Sequence, residues 1–143
     1  MDQRSAKVLA AIKTAMSIMA AEAEEHFKRS FRNQGFEDNS IEKWAPRKRL
    51  SRADKKAKGR SRAILVQSGA LRNGIVRSRI NAYRYKVTSD LPYSAIHNYG
   101  LPGRAWGKHS FTMPQRRFIG VSQMLIKRNV RTFKKHITNA LHI

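Results

Sequence analysis

Two histidines near the middle of the chain, His97 and His109, are the side chains best suited to acid–base chemistry. In a metal-free phosphodiesterase, one imidazole could act as the base and the other as the acid, with Arg104 or Lys108 stabilising the transition-state charge. However, His97 lies just before Gly100, where a hydrogen-bonded histidine that holds the following loop is the simpler interpretation. The sequence favours this structural role for His97.

The other groups that commonly act on phosphates are missing from the sequence. After Asp54 the only acid is Asp90, so no carboxylate pair is available there to hold two metal ions. The chain has no Cys, which excludes thiolate zinc sites and disulfides. It also has no glycine-rich loop followed by Lys and Ser or Thr, as nucleotide phosphates would need. We therefore expect no cofactor, no metal and no enzymatic activity.

The net charge is the unusual feature of the composition. Thirty Lys and Arg against nine Asp and Glu give +21, which predicts attraction to nucleic acid or to an acidic protein surface. Hydrophobic residues make up 41% of the 143 residues, enough for a single domain over residues 1–143. No apolar run is long enough for a membrane span, and the N-terminus lacks a signal-peptide core. We expect a soluble, unexported protein without a membrane partner.

An apolar run followed by a turn is the segment around which the rest of the chain is organised. Ile64–Val66 are apolar and include two β-branched residues, which predicts the end of a buried strand. Ser68 offers a hydroxyl that can cap free backbone N–H groups, and Gly69 lets the chain turn. One helical turn is therefore predicted from Ser68 to Arg72. Asn73–Gly74 is a turn signal that starts the next strand.

Periodic apolar residues predict a long helix at each end of the chain. From Ser5 to about Arg29 they recur three or four apart, and the helix is expected to fray over residues 33–35. From about Gly120 to Leu141 a second helix is predicted, rich in Lys and Arg and without any acid. Because the helices lie at the ends instead of alternating with strands, the fold class is α+β, with a small antiparallel sheet and short helical corners between them.

The segments between the two long helices are short. The prediction places loops at Phe36–Ser40 and Leu101–Ser110, antiparallel strands at Ile75–Ile80 and Tyr83–Thr88, a short helix at Tyr93–Gly100 and a strand at Phe111–Met113.

A long basic loop, residues 45–62, separates the first helix from the apolar run. Its residues 47–62 carry nine Lys or Arg and a single acid, Asp54, so it cannot bury itself. We interpret it as a mobile loop that a partner orders; the alternative is a solvated linker with no specific ligand. The predicted contact residues for nucleic acid or an acidic partner are Arg47, Lys48, Arg49, Arg52, Lys55, Lys56, Lys58, Arg60, Arg62, Lys127, Arg128 and Arg131.

Four sequence blocks, in this order and spacing, are similar to one family. They are Trp44–Pro46, Ile64–Arg72, Tyr93–Gly100 and Met113–Gly120, and together they resemble the virion morphogenesis, or tail completion, proteins of Mu-like tailed phages. The departures from the family pattern are mild: Ser68 stands where Thr is common, Ser94 where Ala is common, and Gln115–Arg117 where Ala-Arg-Pro is common. The resemblance implies that the framework residues are Trp44, Ser68, Gly69, Leu71, Tyr93, His97, Gly100, Pro114, Phe118 and Gly120.

The resemblance also implies a place in the phage particle. A family member is expected to be a non-catalytic part of the tail end or head–tail junction, assembled in several copies, as a ring, in the host cytoplasm. Its partners would be other phage tail or connector proteins, with non-specific contact to phage DNA as a further expectation. The alternative function is sequence-independent DNA binding, which should weaken steeply with salt; a His-dependent nuclease is a third.

Overall fold

Two long helices and three β-hairpins form the fold of the computed structural model, which describes residues 2–47, 63–105 and 107–142. Most of the predicted basic loop, residues 48–62, lies outside the described residues. The α+β class is confirmed. In chain order the elements are α1 (Gln3–Asn33), β1 (Gly35–Glu37), β2 (Ile41–Lys43), α2 (Ala70–Asn73), β3 (Ile75–Asn81), β4 (Arg84–Ser89), α3 (Ser94–Tyr99), β5 (Pro102–Ala105), β6 (His109–Thr112) and α4 (Gln123–Leu141).

The first helix extends slightly beyond its predicted limits at both ends. The side chain of Asp2 caps its N-terminus by accepting a hydrogen bond from the Arg4 amide at 3.2 Å. At the other end Gln34 adopts a left-handed conformation with φ 53°, and its N–H donates to the Ser30 carbonyl. The stop signal over residues 33–35 is therefore confirmed, although Gln34 takes the left-handed position.

The predicted small sheet is three separate two-stranded hairpins. β1 pairs with β2, β3 with β4, and β5 with β6, all antiparallel. The central hairpin was predicted; β3 is one residue longer than its prediction, and β4 lies one residue later at both ends. The first hairpin takes Phe36 and Glu37 from the predicted loop Phe36–Ser40, and the third takes most of the predicted loop Leu101–Ser110, so those two predictions are wrong for these residues. The predicted strand Phe111–Met113 overlaps the end of β6. The strands of these two hairpins are only three or four residues long, too short for a period of two to be visible.

Gly35 shows why the first hairpin could form in a segment that has little strand propensity. It pairs with Lys43, and a Cβ at Gly35 would lie 2.5 Å from the Glu42 carbonyl oxygen. Only glycine permits this approach of the two strands. The pairing turns the next side chain, Phe36, into the core, where it is 1% exposed.

The apolar run Ile64–Val66 is not a strand, and that prediction is wrong. Instead of a strand partner, the side-chain amide of Gln34 binds Ile64: its Oε1 accepts from the Ile64 N–H at 2.5 Å, and its Nε2 donates to the Ile64 carbonyl at 3.2 Å. Leu65 has φ 60°, which interrupts any extended run. All three side chains nevertheless pack against the core.

The remaining elements lie close to their predicted positions. The helical turn α2 begins two residues later than predicted, and the Ser68 hydroxyl accepts a hydrogen bond from the Ala70 amide at 3.3 Å. Helix α3 ends as predicted at Gly100, which has φ 67°. Helix α4 begins after Ser122 instead of near Gly120, because the Ser122 hydroxyl caps it by accepting from the Leu125 amide at 3.2 Å.

An aromatic cluster forms the centre of the core. Phe31 of α1 lies between Trp44 and Phe118, with ring centroids 5.4 and 5.2 Å away. Phe27 stacks on Phe36 at 6.5 Å, and the guanidinium of Arg117 lies 4.0 Å from the Phe36 ring centroid. The buried hydrophobic residues that complete this core are Leu71, Ile75 and Leu125.

Leu71 and Phe118 provide a test of this core. Their side chains are 4% and 1% exposed, so Leu71→Ala and Phe118→Ala should each lower the free energy of unfolding by about 2 to 5 kcal/mol. The control is Ile80→Ala, because Ile80 is 54% exposed on β3 and should change stability by less than about 0.5 kcal/mol. Urea denaturation followed by circular dichroism measures all three. Equal midpoints for the core variants and the control would contradict the packing described.

His26 is buried at the junction of α1 and β1. Its Nε2 lies 3.0 Å from the Glu37 carbonyl oxygen and its Nδ1 lies 3.3 Å from Nη2 of Arg29. A neutral ring that donates from Nε2 and accepts at Nδ1 satisfies both contacts. Burial lowers the pKa of His26, and the Arg29 charge lowers it further against the opposing effect of Glu37.

The shifted His26 pKa predicts a loss of stability in weak acid. Because the pKa is lower in the folded chain than the ordinary 6.5, the unfolded chain binds the proton first as the pH falls. The free energy of unfolding should therefore decrease as the pH falls through 6.5. His26→Gln retains a donor for Glu37 but does not titrate, so its loss between pH 7.5 and 5 should be smaller. His109→Gln is the exposed control, and a wild-type profile matching that of His26→Gln would contradict the assignment.

Candidate functional site

The predicted contact cations divide between the basic loop and helix α4. Of the loop cations, only Arg47 belongs to the described residues, and it is partly buried. On α4, Lys127 and Arg131 are exposed, whereas Arg128 is partly buried on the side of His26, whose pKa its charge helps to lower. The structure thus places two of the three α4 cations where a partner could reach them. Their role as contacts stays a prediction.

Helix α4 is attached to α1 and β1 by polar contacts near its start and on its inner side. The Ser122 hydroxyl donates to the Glu37 carbonyl at 2.8 Å, and the Gln123 amide donates to the Asp38 carboxylate at 2.6 Å. In the middle of the helix, the Thr132 hydroxyl donates to the Glu22 carboxylate at 3.1 Å. These contacts fix which face of α4 points outward.

The outward face of α4 combines apolar and basic side chains. Ile126, Val130 and Phe133 follow one another at helical spacing and are 45%, 48% and 37% exposed. Lys127 and Arg131 border this apolar stripe. These five residues are called the outer face of α4 below. An exposed apolar stripe beside cations is suited to a partner that carries both apolar and acidic groups.

Asn98 on α3 holds the segment between β6 and α4. Its Oδ1 accepts hydrogen bonds from the Phe118 and Ile119 amides at 2.9 and 3.0 Å, and its Nδ2 donates to the Ile119 carbonyl at 3.1 Å. Asn98 is 5% exposed, so water has little access to these hydrogen bonds and the side chain is the partner of the backbone groups. One residue earlier, the His97 carbonyl accepts from the Arg116 amide at 2.8 Å.

The framework residues implied by the family resemblance occupy three kinds of position. In the core lie Trp44, Leu71 and Phe118. Around one cavity, which Leu71 also borders, lie Ser68, Tyr93, His97 and Pro114. At turns between elements lie Gly69, Gly100 and Gly120. Trp44 is linked to a segment 73 residues later in the chain, because its Nε1 donates to the Arg117 carbonyl at 2.7 Å. The framework role of all ten stays a prediction.

His97 and His109 do not meet in this structure. His97 borders the cavity just mentioned, while His109 lies exposed on β6 and is not among the described residues that line that cavity. Burial lowers the pKa of His97, and the charge of Arg116 lowers it further. No group of three or more His, Asp or Glu side chains in the described ranges is placed to hold a metal ion. The geometry therefore gives no support to paired-histidine catalysis.

Sequence reasoning missed two residues that determine the geometry of this region. Asn98 and Arg116 both lie in sequence blocks that resemble the family, but neither was assigned a role. Asn98 precedes the helix-ending pair Tyr99–Gly100, and Arg116 stands in a basic run that is typical of a surface. Arg116 is in fact only 6% exposed. No local pattern distinguishes such a residue from its exposed neighbours.

Comparison with known proteins assigns the chain to a family. A model of the phage virion morphogenesis family matches residues 2–137. The chain belongs to this family. The resemblance found in the four sequence blocks is thereby confirmed. Searches of curated proteins and of solved structures found no match. Within the described part of the chain, no helix has the length and apolar character needed to cross a membrane.

Removal of the Asn98 side chain tests its role as the support of the 115–119 segment. Asn98→Ala leaves the buried amide of Phe118 and the partly buried amide of Ile119 unpaired, and an unpaired buried group costs about 1 to 3 kcal/mol. We expect a lower unfolding midpoint and faster amide hydrogen exchange at residues 118 and 119. Gln115→Ala is the control, because that exposed side chain makes a single 3.3 Å contact with the Asn98 carbonyl. Unchanged exchange at both amides in Asn98→Ala would refute the role.

Proposed function

We propose that this protein is a non-catalytic structural component of a phage particle that acts in tail completion or head–tail joining. The observation that carries the proposal is the match to the phage virion morphogenesis family over residues 2–137. The family supports a role in virion assembly and contact with other phage structural proteins. The specific junction, the presence of several copies and a ring arrangement are parts of the proposal.

The outer face of α4 is the surface that we propose for contact with a neighbouring virion protein. Its apolar stripe is exposed and its border is basic, while the opposite side of the helix packs on α1. A partner with an acidic rim around an apolar centre would bury the stripe and neutralise Lys127 and Arg131. This arrangement needs no catalytic residue, which is consistent with a structural role.

The basic loop is the second proposed contact. Its cations are part of the net charge of +21 that the whole chain carries. Charges of one sign contribute little to stability and can oppose compaction. A partner that supplies negative charge would offset the entropy of ordering such a segment by forming charge-assisted hydrogen bonds. We propose that this loop engages an assembly partner, or DNA that passes through the particle.

Sequence-independent DNA binding is the alternative function, favoured by the net charge and by the lack of any acid in α4. It would act through phosphate contacts, each of which releases condensed counterions. Affinity for a DNA duplex should then fall by orders of magnitude between 50 and 200 mM salt, roughly as it does for proteins with many phosphate contacts. Binding to an acidic protein partner, in contrast, would resist competition by duplex DNA.

Charge removal in the basic loop tests the structural proposal. The variant replaces four loop cations with Gln: Lys55, Lys56, Lys58 and Arg60. We expect the isolated protein to keep its unfolding midpoint, because the segment has nine cations and a single acid in sequence, and charges of one sign contribute little to stability. In a complementation assay of particle assembly, infectious particles should be lost and heads and tails should remain unjoined.

A matched control separates the loop from net charge alone. It removes four exposed cations elsewhere, again by substitution with Gln: Lys7, Lys13, Arg84 and Lys86. These positions lie on α1 and β4, so particle yield should be retained. Normal particle yield from the loop variant would return the loop to its interpretation as a solvated linker. Equal failure of both variants, together with equal loss of duplex affinity, would favour the DNA-binding function.

A further inference from the structure

A cavity of about 560 Å³ lies between the 64–71 segment, α3 and the chain that leaves β6. One part of its lining is apolar and includes Leu65, Tyr93 and Met113. The other part is polar and includes Ser68, His97 and Arg116. None of the described residues that line the cavity is an acid. The Arg116 cavity, as it is called below, therefore combines apolar walls with positive charge.

Arg116 is buried without a carboxylate partner among the described residues. Its Nε and Nη2 donate to the Ala45 carbonyl at 3.1 and 3.0 Å, and Nη2 also donates to the Pro46 carbonyl at 3.3 Å. Within the described chain its Nη1 makes no hydrogen bond. Carbonyl oxygens carry only partial charge, so these hydrogen bonds do not neutralise the buried guanidinium.

Two further groups of the lining can take part in binding an anion. The Nδ1 atom of His97 is buried and has no hydrogen-bond partner in the described chain. The edge-to-face contact with Tyr93, with ring centroids 6.2 Å apart, orients the His97 ring. The Ser68 hydroxyl already accepts from the Ala70 amide, which leaves its own hydrogen free to donate. With its proton on Nδ1, the neutral His97 ring would be a second donor beside the Ser68 hydroxyl.

We propose that the Arg116 cavity binds a carboxylate carried on a partly apolar segment of a partner protein. This inference rests on the proposed function, since the partner is a neighbouring component of the particle. A carboxylate would accept charge-assisted hydrogen bonds from Arg116 and Ser68, while an adjacent apolar side chain would contact Leu65 and Met113.

The burial of Arg116 favours a carboxylate over the phosphates of a DNA duplex. Phosphates are usually contacted by cations that project from the protein surface, whereas Arg116 is 6% exposed at a cavity with apolar walls. A side-chain carboxylate on a flexible stem can enter such a cavity, and a duplex backbone, held between its sugars, cannot. The outer face of α4 and the basic loop remain available for longer-range attraction.

Titration of the full chain with a capped dipeptide tests the proposal by NMR. The probe is acetyl-leucyl-glutamate amide, and its uncharged counterpart is acetyl-leucyl-glutamine amide, both at constant ionic strength. We expect saturable shifts of the Arg116 Nε–Hε signal and of the His97 ring signals with the first probe, and at least tenfold weaker binding of the second. Absence of saturation, or equal binding of both probes, would overturn the proposal.

Variants locate the binding to this cavity. Arg116→Lys keeps a charge but loses the planar donors, so affinity should fall at least fivefold. In Ser68→Ala the affinity for the probe should fall about threefold. This variant tests the site if the Arg116 variant does not fold. Arg104→Gln removes an exposed cation on β5 and should bind as the wild type does. If Arg104→Gln weakens binding as much as Arg116→Lys, the probe responds to net charge and the proposed site is wrong.

Two further arms distinguish the source of the anion. If inorganic phosphate or a DNA duplex shifts the same signals at lower concentration than the glutamate probe, the ligand of the cavity is a phosphate and the carboxylate proposal is wrong. Asp54, outside the described residues, is one of two acids in sequence between Arg47 and Arg116. If Asp54→Asn binds the probe at least tenfold more tightly, the chain supplies its own carboxylate and the partner proposal fails. These measurements use the isolated protein and involve no particle. A negative result would therefore overturn the cavity proposal and leave the proposed function to be judged by the assembly assay.

Discussion

The packing of Phe31 is the interaction on which the rest of the structure depends. Phe31 is 2% exposed, and its ring lies between Trp44, the aromatic residue that follows β1 and β2, and Phe118, which is far away in sequence. Trp44 in turn donates from its indole to the Arg117 carbonyl. The end of α1, the exit of β2 and the segment before α4 are thus held at a single point. Because Ala45 follows Trp44 directly, the carbonyl that receives Arg116 is positioned by the same packing.

The polar contacts around Asn98 convert this packing into a defined backbone path. A cluster of aromatic rings can slide, since ring contacts have little directional preference beyond their tilt. The hydrogen bonds of Asn98 to Phe118 and Ile119, and that of the Arg116 amide to His97, allow only one register between α3 and residues 116–119. The core and the cavity are consequently connected by the same backbone contacts. A substitution in either one should alter the structure of the other.

The success of sequence reasoning followed the range of the interactions. The β3–β4 hairpin and the ends of α1 and α3 were predictable because local signals determine them: Asn73–Gly74 before the hairpin, Asn33 and Gly35 at the end of α1, and Gly100 after α3. Ile64–Val66 misled because Gln34, thirty residues away, supplies the hydrogen bonds that a strand partner would have made. The short outer hairpins carry too few residues for a pattern.

The candidate sites show the same division. The exposed cations of α4 were predictable from a helix that contains no acid, because a solvated basic face is the usual outcome of such a sequence. The partial burial of Arg128 was not, since it depends on the neighbouring position of His26. Arg116 is the extreme case. Its burial depends on hydrogen bonds to the carbonyls of residues 45 and 46, which only tertiary packing brings close to it. No local sequence pattern predicts that proximity.

The few acids of the chain are used mainly to hold its own elements together. Glu22 accepts from Thr132 of α4, and Asp38 caps α4 at Gln123. Glu24 binds Lys28 and Arg77, and the hydrogen bond from Lys28, together with both charges, lowers the pKa of that carboxyl. Little negative charge is left to neutralise the remaining cations, so neutralisation has to come from outside the fold. Two copies that met through their basic faces would repel each other. In the proposed multi-copy assembly, the copies should therefore contact one another through other surfaces and turn the outer face of α4 toward an acidic neighbour.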